Sequence, residues 1–176
     1  MTQIPTLQTE RFTLRPLRRE DAAALFPTFA DEEQMRYWSR APFSAEEELA
    51  DWLTDREWDG RSWSVIERAT GELVARLVAM PRGQGVAEIG YTVVRHRQRE
   101  GVASESLAAL IAQLLGAEGH RRIFADVDPD NAASNALLAR LGFTLEGRLR
   151  EAWETHIGPR DTLIWGLLAR EWRQAE

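Results

Sequence analysis

The chain contains no cysteine. Disulfides, thiolate metal sites and cysteine nucleophiles are therefore excluded, and a cytoplasmic protein is the simplest expectation. Histidine is scarce: His96, His120 and His156 have no metal-ligand spacing, so no metal is expected. No run approaches the roughly 18 apolar residues that span a membrane. The first residues, MTQIPTLQTERF, lack a basic segment followed by an apolar run, so no secretory signal is expected. Gly-Lys-Ser/Thr and G-x-G-x-x-G are absent, which leaves neither a Walker loop nor a dinucleotide fingerprint. There are no repeats, low-complexity tracts or long linkers. Positive charge is in deficit as well, with a formal net charge of −6. A nucleic-acid binder usually has the opposite sign. An acidic protein attracts cationic partners such as amines, although a charge of this size equally serves solubility.

The 176 residues suit one domain, 1–176, and are too few for two. Strand and helix patterns alternate along them. Residues 10–15 read as a strand with Phe12 and Leu14 on one face. Asp21 can cap a short helix carrying Leu25, Phe26 and Phe29. Ser44-Ala45-Glu46-Glu47 reads as a capping box before Leu49, Trp52 and Leu53, with Gly60 as the stop. Three strand-like runs follow at 62–68, 72–80 and 86–94, separated by turn signals at 69–71 and 82–85. They predict an antiparallel meander. Gly101 then opens a helix whose Leu107, Leu110, Ile111, Leu114 and Leu115 form an amphipathic stripe. Residues 122–127 read as a strand. Asp128 to Asn131 leads into a helix carrying Leu137, Leu138 and Leu141, and strand-like 143–150 and 161–168 close the chain. The fold class is α+β (three-layer α/β), a mostly antiparallel sheet with helices packed on it.

The sharpest local feature is Gln98-Arg99-Glu100-Gly101-Val102-Ala103, between a strand and a helix. The first helical turn has N–H groups without intrahelical partners, and the macrodipole makes that end positive. Such a turn suits a pyrophosphate. Gly101, and nearly so Ala103, removes a side chain where a phosphate must approach the backbone, and Arg95, His96, Arg97 and Arg99 bring positive charge beside it. A glycine-punctuated turn with a solvated basic loop has the same spacing, so both readings stand at this level.

The motif Gln/Arg-x-x-Gly-x-Gly/Ala after the fourth predicted strand resembles the acetyl-CoA pyrophosphate motif of the GNAT superfamily of N-acetyltransferases. Thr9 to Leu17, Ala87-Glu88-Ile89-Gly90-Tyr91, Asn131-Ala132-Ala133-Ser134 leading to Leu141-Gly142-Phe143, and His156 to Asp161 follow in matching order. Within the superfamily the chain resembles the ribosomal-protein N-terminal acetyltransferases, the Rim L and Rim J type. The likeness covers residues 7 to 168. Arg99 departs from the small residue usual in that branch and Glu100 from its usual Lys or Arg. With the backbone N–H groups doing most of the binding, Glu100 is expected to point to solvent.

The resemblance implies a mixed sheet of about 6–7 strands with about 4 helices, splayed between the fourth and fifth strands, and acetyl-CoA as cosubstrate. Gln98 to Ala103, with Ser104, would hold its pyrophosphate. Tyr91, Thr92 and Val93 would take the pantetheine arm as an added strand, and Asn131 would contact that arm, although Asn131 also reads as a plain N-cap. The Val93 N–H would face the thioester carbonyl. Many members place a proton-donating tyrosine where this chain has Leu138, which cannot donate. Ser134, one turn earlier, is the candidate donor to the thiolate, although a serine at a helix start is commonly structural. Glu88 is the first candidate base, Glu154 and His156 weaker ones; an outward-facing surface role for Glu88 fits as well. Among seven tryptophans, Trp38, Trp63, Trp153 and Trp165 read as core or cleft walls, with Trp38 and Trp153 on the acceptor side. The expected reaction is direct acetyl transfer to a primary amine: a protein N-terminus, or alternatively a small amine such as a polyamine, amino acid or antibiotic. A catalytically silent acyl-CoA-binding domain is the rival of a different class. Monomer and homodimer both fit, and neither nucleic acid nor membrane is an expected partner.

Overall fold

The computed structural model describes residues 4–172. Its strands form one sheet, and they are β1 (Leu7–Gln8), β2 (Phe12–Pro16), β3 (Arg61–Glu67), β4 (Leu73–Pro81), β5 (Val86–Val93), β6 (Arg122–Val127), β7 (Thr144–Thr155) and β8 (Gly158–Leu168). Their order across the sheet is β1-β2-β3-β4-β5-β6-β8-β7. All neighbours run antiparallel except β5 and β6. The helices are α1 (Ala22–Phe29), α2 (Glu32–Met35), α3 (Glu46–Leu53), α4 (Val102–Ile111) and α5 (Ala132–Arg140). This is the expected mixed α+β architecture, with slightly more strands and helices than the sequence suggested. Among the described residues no helix is long and apolar enough to cross a membrane.

Alternation along the strands sorts the residues onto two faces. Leu14, Val65, Ala75 and Val93 are in register, as are Trp63, Leu77 and Tyr91. This face meets the α4 stripe, and Leu107, Leu110, Ile111 and Leu114 are fully buried there with Leu137 and Leu138 of α5. Each such side chain contributes about 1.5–3 kcal/mol by leaving water. The opposite face carries Arg15, Ser64, Arg76 and Thr92 in register. Helices α1 and α3 form a second core beside it around Leu25, Phe29, Phe43 and Leu49.

Several local expectations needed correction. Asp21 precedes α1, but its carboxylate does not cap that helix. It accepts from Arg15, Ser64 and the Arg18 N–H instead. Helix α3 starts one residue later than a Ser44-Glu47 box requires, and Glu48 reaches back to Ser44. It ends at Leu53, well before Gly60. Strands β7 and β8 extend into one long hairpin that turns at His156 and Ile157.

The decisive irregularity lies at the sheet centre. Strand β5 pairs with β6 only through Val86, Ala87 and Glu88, opposite Arg122, Ile123 and Phe124. Beyond them the strands part, while β4 continues to pair with β5 as far as Val93. The splay is the expected one; the short β1 merely moves it to the fifth and sixth strands.

Candidate functional site

The gap leaves an unpaired backbone edge on β5. The Val94 N–H donates to Val74 O of β4 at 3.0 Å. Successive residues of a strand point their polar groups in opposite directions, so the N–H and C=O of Val93 face the gap. The Gln98 side chain donates to Val93 O at 3.2 Å from that side, which fits this direction. Tyr91 shares the parity of Val93, and Thr92 faces β4.

The chain leaves this edge through a short 3-10 turn, Arg95–Arg97, and enters α4. Arg99 (φ 66°) and Gly101 (φ 77°) both adopt left-handed conformations. No side chain caps α4. The first-turn N–H groups of Val102, Ala103 and Ser104 therefore have no side-chain acceptor, an arrangement suited to an anion.

The basic run contributes less charge than its sequence implies. Arg95 pairs with Asp31 and Glu33, and His96 lies 2.6 Å from Glu72. Arg97 binds Glu67, Glu72 and Glu100, which holds its guanidinium pKa well above the ordinary value, chiefly through Glu67. Glu100 is thereby fixed to Arg97 Nε at 2.8 Å, and its carbonyl accepts from Arg11 Nη1 at 3.0 Å. The loop presents main-chain dipoles more than side-chain charge.

Across the gap stands the start of α5. Asn131 is a true N-cap, accepting from the Ser134 N–H at 3.2 Å. Asn131 and Ser134 both line the cavity. Leu138 is fully buried core. The Tyr91 hydroxyl is also buried and has no partner of good geometry. Burial pushes its pKa up to about 12, and the neighbouring Ser134 opposes this only in part.

The cavity occupies about 380 Å³ and passes through the splay toward α1–α3. Trp38 and Trp153 line it, and so do Trp52 and Trp58, which sequence reasoning did not assign. Trp153 is aimed inward by an irregularity in β7 between Leu149 and Trp153, where Glu151 has φ 46°. Its indole N–H donates to Asp126 Oδ2 at 2.7 Å. Glu88 lines the cavity but is held by Arg82 Nε at 2.6 Å. Of the weaker base candidates, His156 uses its Nδ1–H to donate to Trp38 O at 3.2 Å, and Glu154 is exposed on β7 outside the cavity lining.

Two further residues carry chemical potential that sequence reasoning missed. Asp126 lines the cavity from β6, two residues beyond Phe124, the partner of Glu88. Burial, and then the Glu88 charge, raise its pKa above the ordinary carboxylate value. Arg76 is 5% exposed, and Trp52 and Trp58 lie against its guanidinium. Burial pulls its pKa down to about 9, so it stays charged at neutral pH. A buried ion costs several kcal/mol, and cation–π contacts of about 2 kcal/mol each offset only part of that. The available signal for both was a lone charge inside an apolar strand, RIFADV and LVARLVAM.

Such a site can hold an extended ligand along β5, bind its anionic end at α4, and face it with titratable groups at the other end. Comparison with known proteins agrees with this architecture. The family model for the acetyltransferase (GNAT) domain matches residues 11–144. The chain is 32% identical over 171 residues to YoaA of Bacillus subtilis, described as an uncharacterized N-acetyltransferase, covering 93% of this chain and 97% of that one. It is 39% identical over 66 residues to the ribosomal-protein-serine acetyltransferase of Escherichia coli, covering 38% and 37% of the two chains. A GNAT-family acetyltransferase structure from Bacillus anthracis superposes with a TM-score of 0.87 at 21% identity, covering 95% of this chain and 100% of that one.

Proposed function

The chain belongs to the acetyltransferase (GNAT) family, and on that premise we propose that it transfers acetyl from acetyl-CoA to a primary amine in one ternary complex. The observation that carries this reading is the freed β5 edge at Tyr91 and Val93, followed along the chain by the uncapped start of α4. The residues fit the cosubstrate in kind: bare N–H groups for phosphate, an unpaired strand edge for an amide-bearing arm. Bound there, acetyl-CoA would supply an acetyl thioester open to attack by an amine. Val102, Ala103 and Ser104 bind pyrophosphate through their N–H groups, on the turn shaped by Gln98, Arg99, Glu100 and Gly101. Tyr91, Thr92 and Asn131 orient the arm. The Val93 N–H stabilises negative charge developing on the carbonyl oxygen. Asp126 takes the proton of the incoming ammonium, its raised pKa making it a better base than an ordinary carboxylate. Glu88 assists by maintaining that shift. Ser134 Oγ delivers a proton to the leaving thiolate, with the protonated Tyr91 hydroxyl behind it.

The favoured acceptor is a small amine. Tyr37 and Trp38, which line the cavity, are tied across it: His156 donates to Trp38 O, and the Tyr37 hydroxyl donates to Asp130 O at 3.1 Å, bridges that narrow access for a peptide chain. A second reading, a protein N-terminus as in the ribosomal-protein branch, draws on the 66-residue likeness above and requires those bridges to open.

The test is thiol release from acetyl-CoA with a panel of small amines and N-terminal peptides. The chain has no lysine, so its own side-chain amines give no background. Turnover of small amines is expected, faster than of peptides. Acetyl-CoA binding with no turnover on any acceptor would refute transfer and leave the silent acyl-CoA-binding reading.

A further inference from the structure

The other cavity cations are matched: Arg82 with Glu88, and Arg160 with Asp128 and Asp130. Arg76 differs. Its Nη2 donates to Ser62 Oγ at 3.0 Å, and its Nε has no partner. Among the described residues no carboxylate lies within 4 Å of it. The cavity carboxylates are engaged elsewhere: Asp126 with Trp153, Asp161 with Arg148, and Asp55 with the Glu57 N–H. Its guanidinium carbon lies 4.9 Å from the Trp52 ring and 5.7 Å from that of Trp58, and all three residues line the cavity. Aromatic contacts fix the guanidinium plane and leave hydrogen bonding to its edge, where the donor fork suits a planar oxyanion.

We propose that the acceptor is a small amine that also bears an anionic group, foremost a carboxylate, and that Arg76 binds that group. The proposal rests on the acetyl-transfer reading and narrows its substrate. Position supports it. Arg76 is paired in register with Thr92, the neighbour of Val93, so it stands at the level of the freed N–H. Asp126 lies two residues beyond Phe124, which is paired with Glu88, and so is level with Gly90. That is about 7 Å along the strand from Thr92. A zwitterionic acceptor would place its ammonium toward the Asp126 and Glu88 carboxylates and its oxyanion at Arg76. A polyamine would bring a second cation against an unmatched guanidinium, and like charges brought together select against a partner.

The experiment compares kcat/KM for ω-amino acids of graded length with their carboxamides, with amines lacking the carboxylate, with a polyamine, and with peptides whose first residue is acidic. Wild type is expected to prefer the amino acids by about 100-fold. Arg76→Met should lower their rates to those of the carboxamides. Equal or better use of carboxamides or polyamine by wild type would overturn the proposal, as would a preference that survives in Arg76→Met, or turnover of peptides alone. An unreactive monocarboxylate, pentanoate, provides a second readout independent of chemistry. It should raise the melting temperature of wild type and not of Arg76→Met. If no amine is turned over, the transfer reading falls while this binding test still decides the anion site: no shift in wild type overturns it. If Arg76→Met does not fold, the two wild-type measurements decide.

Discussion

Gly101→Ala separates backbone strain from ligand binding, because the protein contains a matched control. Gly101 has φ 77° and Gly71, in the β3–β4 turn, has φ 76°. Forcing an L side chain into this region costs about 1–2 kcal/mol, which in a domain of this size lowers Tm by about 2–8 °C. A Cβ at Gly71 meets nothing within 4 Å. At Gly101 it meets Arg11 Nη2 at 3.2 Å, and that guanidinium is held by Glu105 and by the Glu100 carbonyl, so a small steric cost adds to the strain. Gly101→Ala should therefore lose at least as much stability as Gly71→Ala, and the ligand-induced shift, not the melting temperature itself, carries the comparison. Only Gly101→Ala places a methyl where a phosphate approaches the α4 amides, and about a tenfold loss of acetyl-CoA affinity is expected, equivalent to about 1.4 kcal/mol. The assay is thermal melting with and without acetyl-CoA. At a concentration 100 times the wild-type Kd, the ligand stabilises by about 2.7 kcal/mol; a tenfold weaker site gains about 1.4 kcal/mol. Equal ligand-induced shifts in Gly71→Ala and Gly101→Ala would refute the placement of the anion site.

Ser134→Ala should lower turnover about 10- to 100-fold while acetyl-CoA binding measured by calorimetry stays unchanged; unaltered turnover removes Ser134 from proton delivery. Asp126→Asn should lower kcat/KM by about 100-fold or more. Because the folded protein holds the Asp126 proton to higher pH than the unfolded chain, this group destabilises increasingly as pH rises above about 3.9. The asparagine variant should therefore melt no lower than wild type at neutral pH, and a lower melting point there argues against the assignment. Asp21 has the opposite sign. Burial would raise its pKa, but hydrogen bonds from Arg15, Ser64 and the Arg18 N–H hold it below the ordinary value. Its stabilisation is present above about pH 3.9 and lost as pH falls through the depressed value. Asp21→Asn should cost about 3 kcal/mol at pH 7 by denaturant titration, with the difference from wild type shrinking in acid.

Elements with a strong period were legible in the sequence. The α4 stripe and β6 carry patterns that only one packing satisfies, and their observed bounds lie close to the expected ones. Tyr91, Val93, Asn131 and Ser134 were named through the family resemblance and not through spacing; the fold sets Tyr91 and Val93 on the β5 edge at the gap, and Asn131 and Ser134 at the start of α5. Caps read less well. Asp21 was drawn away by Arg15, and the α3 box slipped by one residue, since several acceptors compete for few donors. Asp126 and Arg76 were hidden for a different reason. Their significance comes from what surrounds them after β5, β6 and α3 have assembled, and spacing along the chain does not encode burial or a missing counter-ion.

The ion pairs around the α4 loop bear on how this protein can change over evolutionary time. Arg95, His96 and Arg97 lie against carboxylates within the fold, so beside the main-chain amides the loop presents Arg99, which has no ion pair among the described residues. Amide dipoles survive substitution of the residues that carry them. Binding through amides does not require a particular side chain at position 99 or 100, while the left-handed φ of Arg99 (66°) still favours residues that tolerate that conformation. With Arg95, His96 and Arg97 already paired inside the fold, acetyl-CoA affinity should fall only shallowly between low and moderate ionic strength.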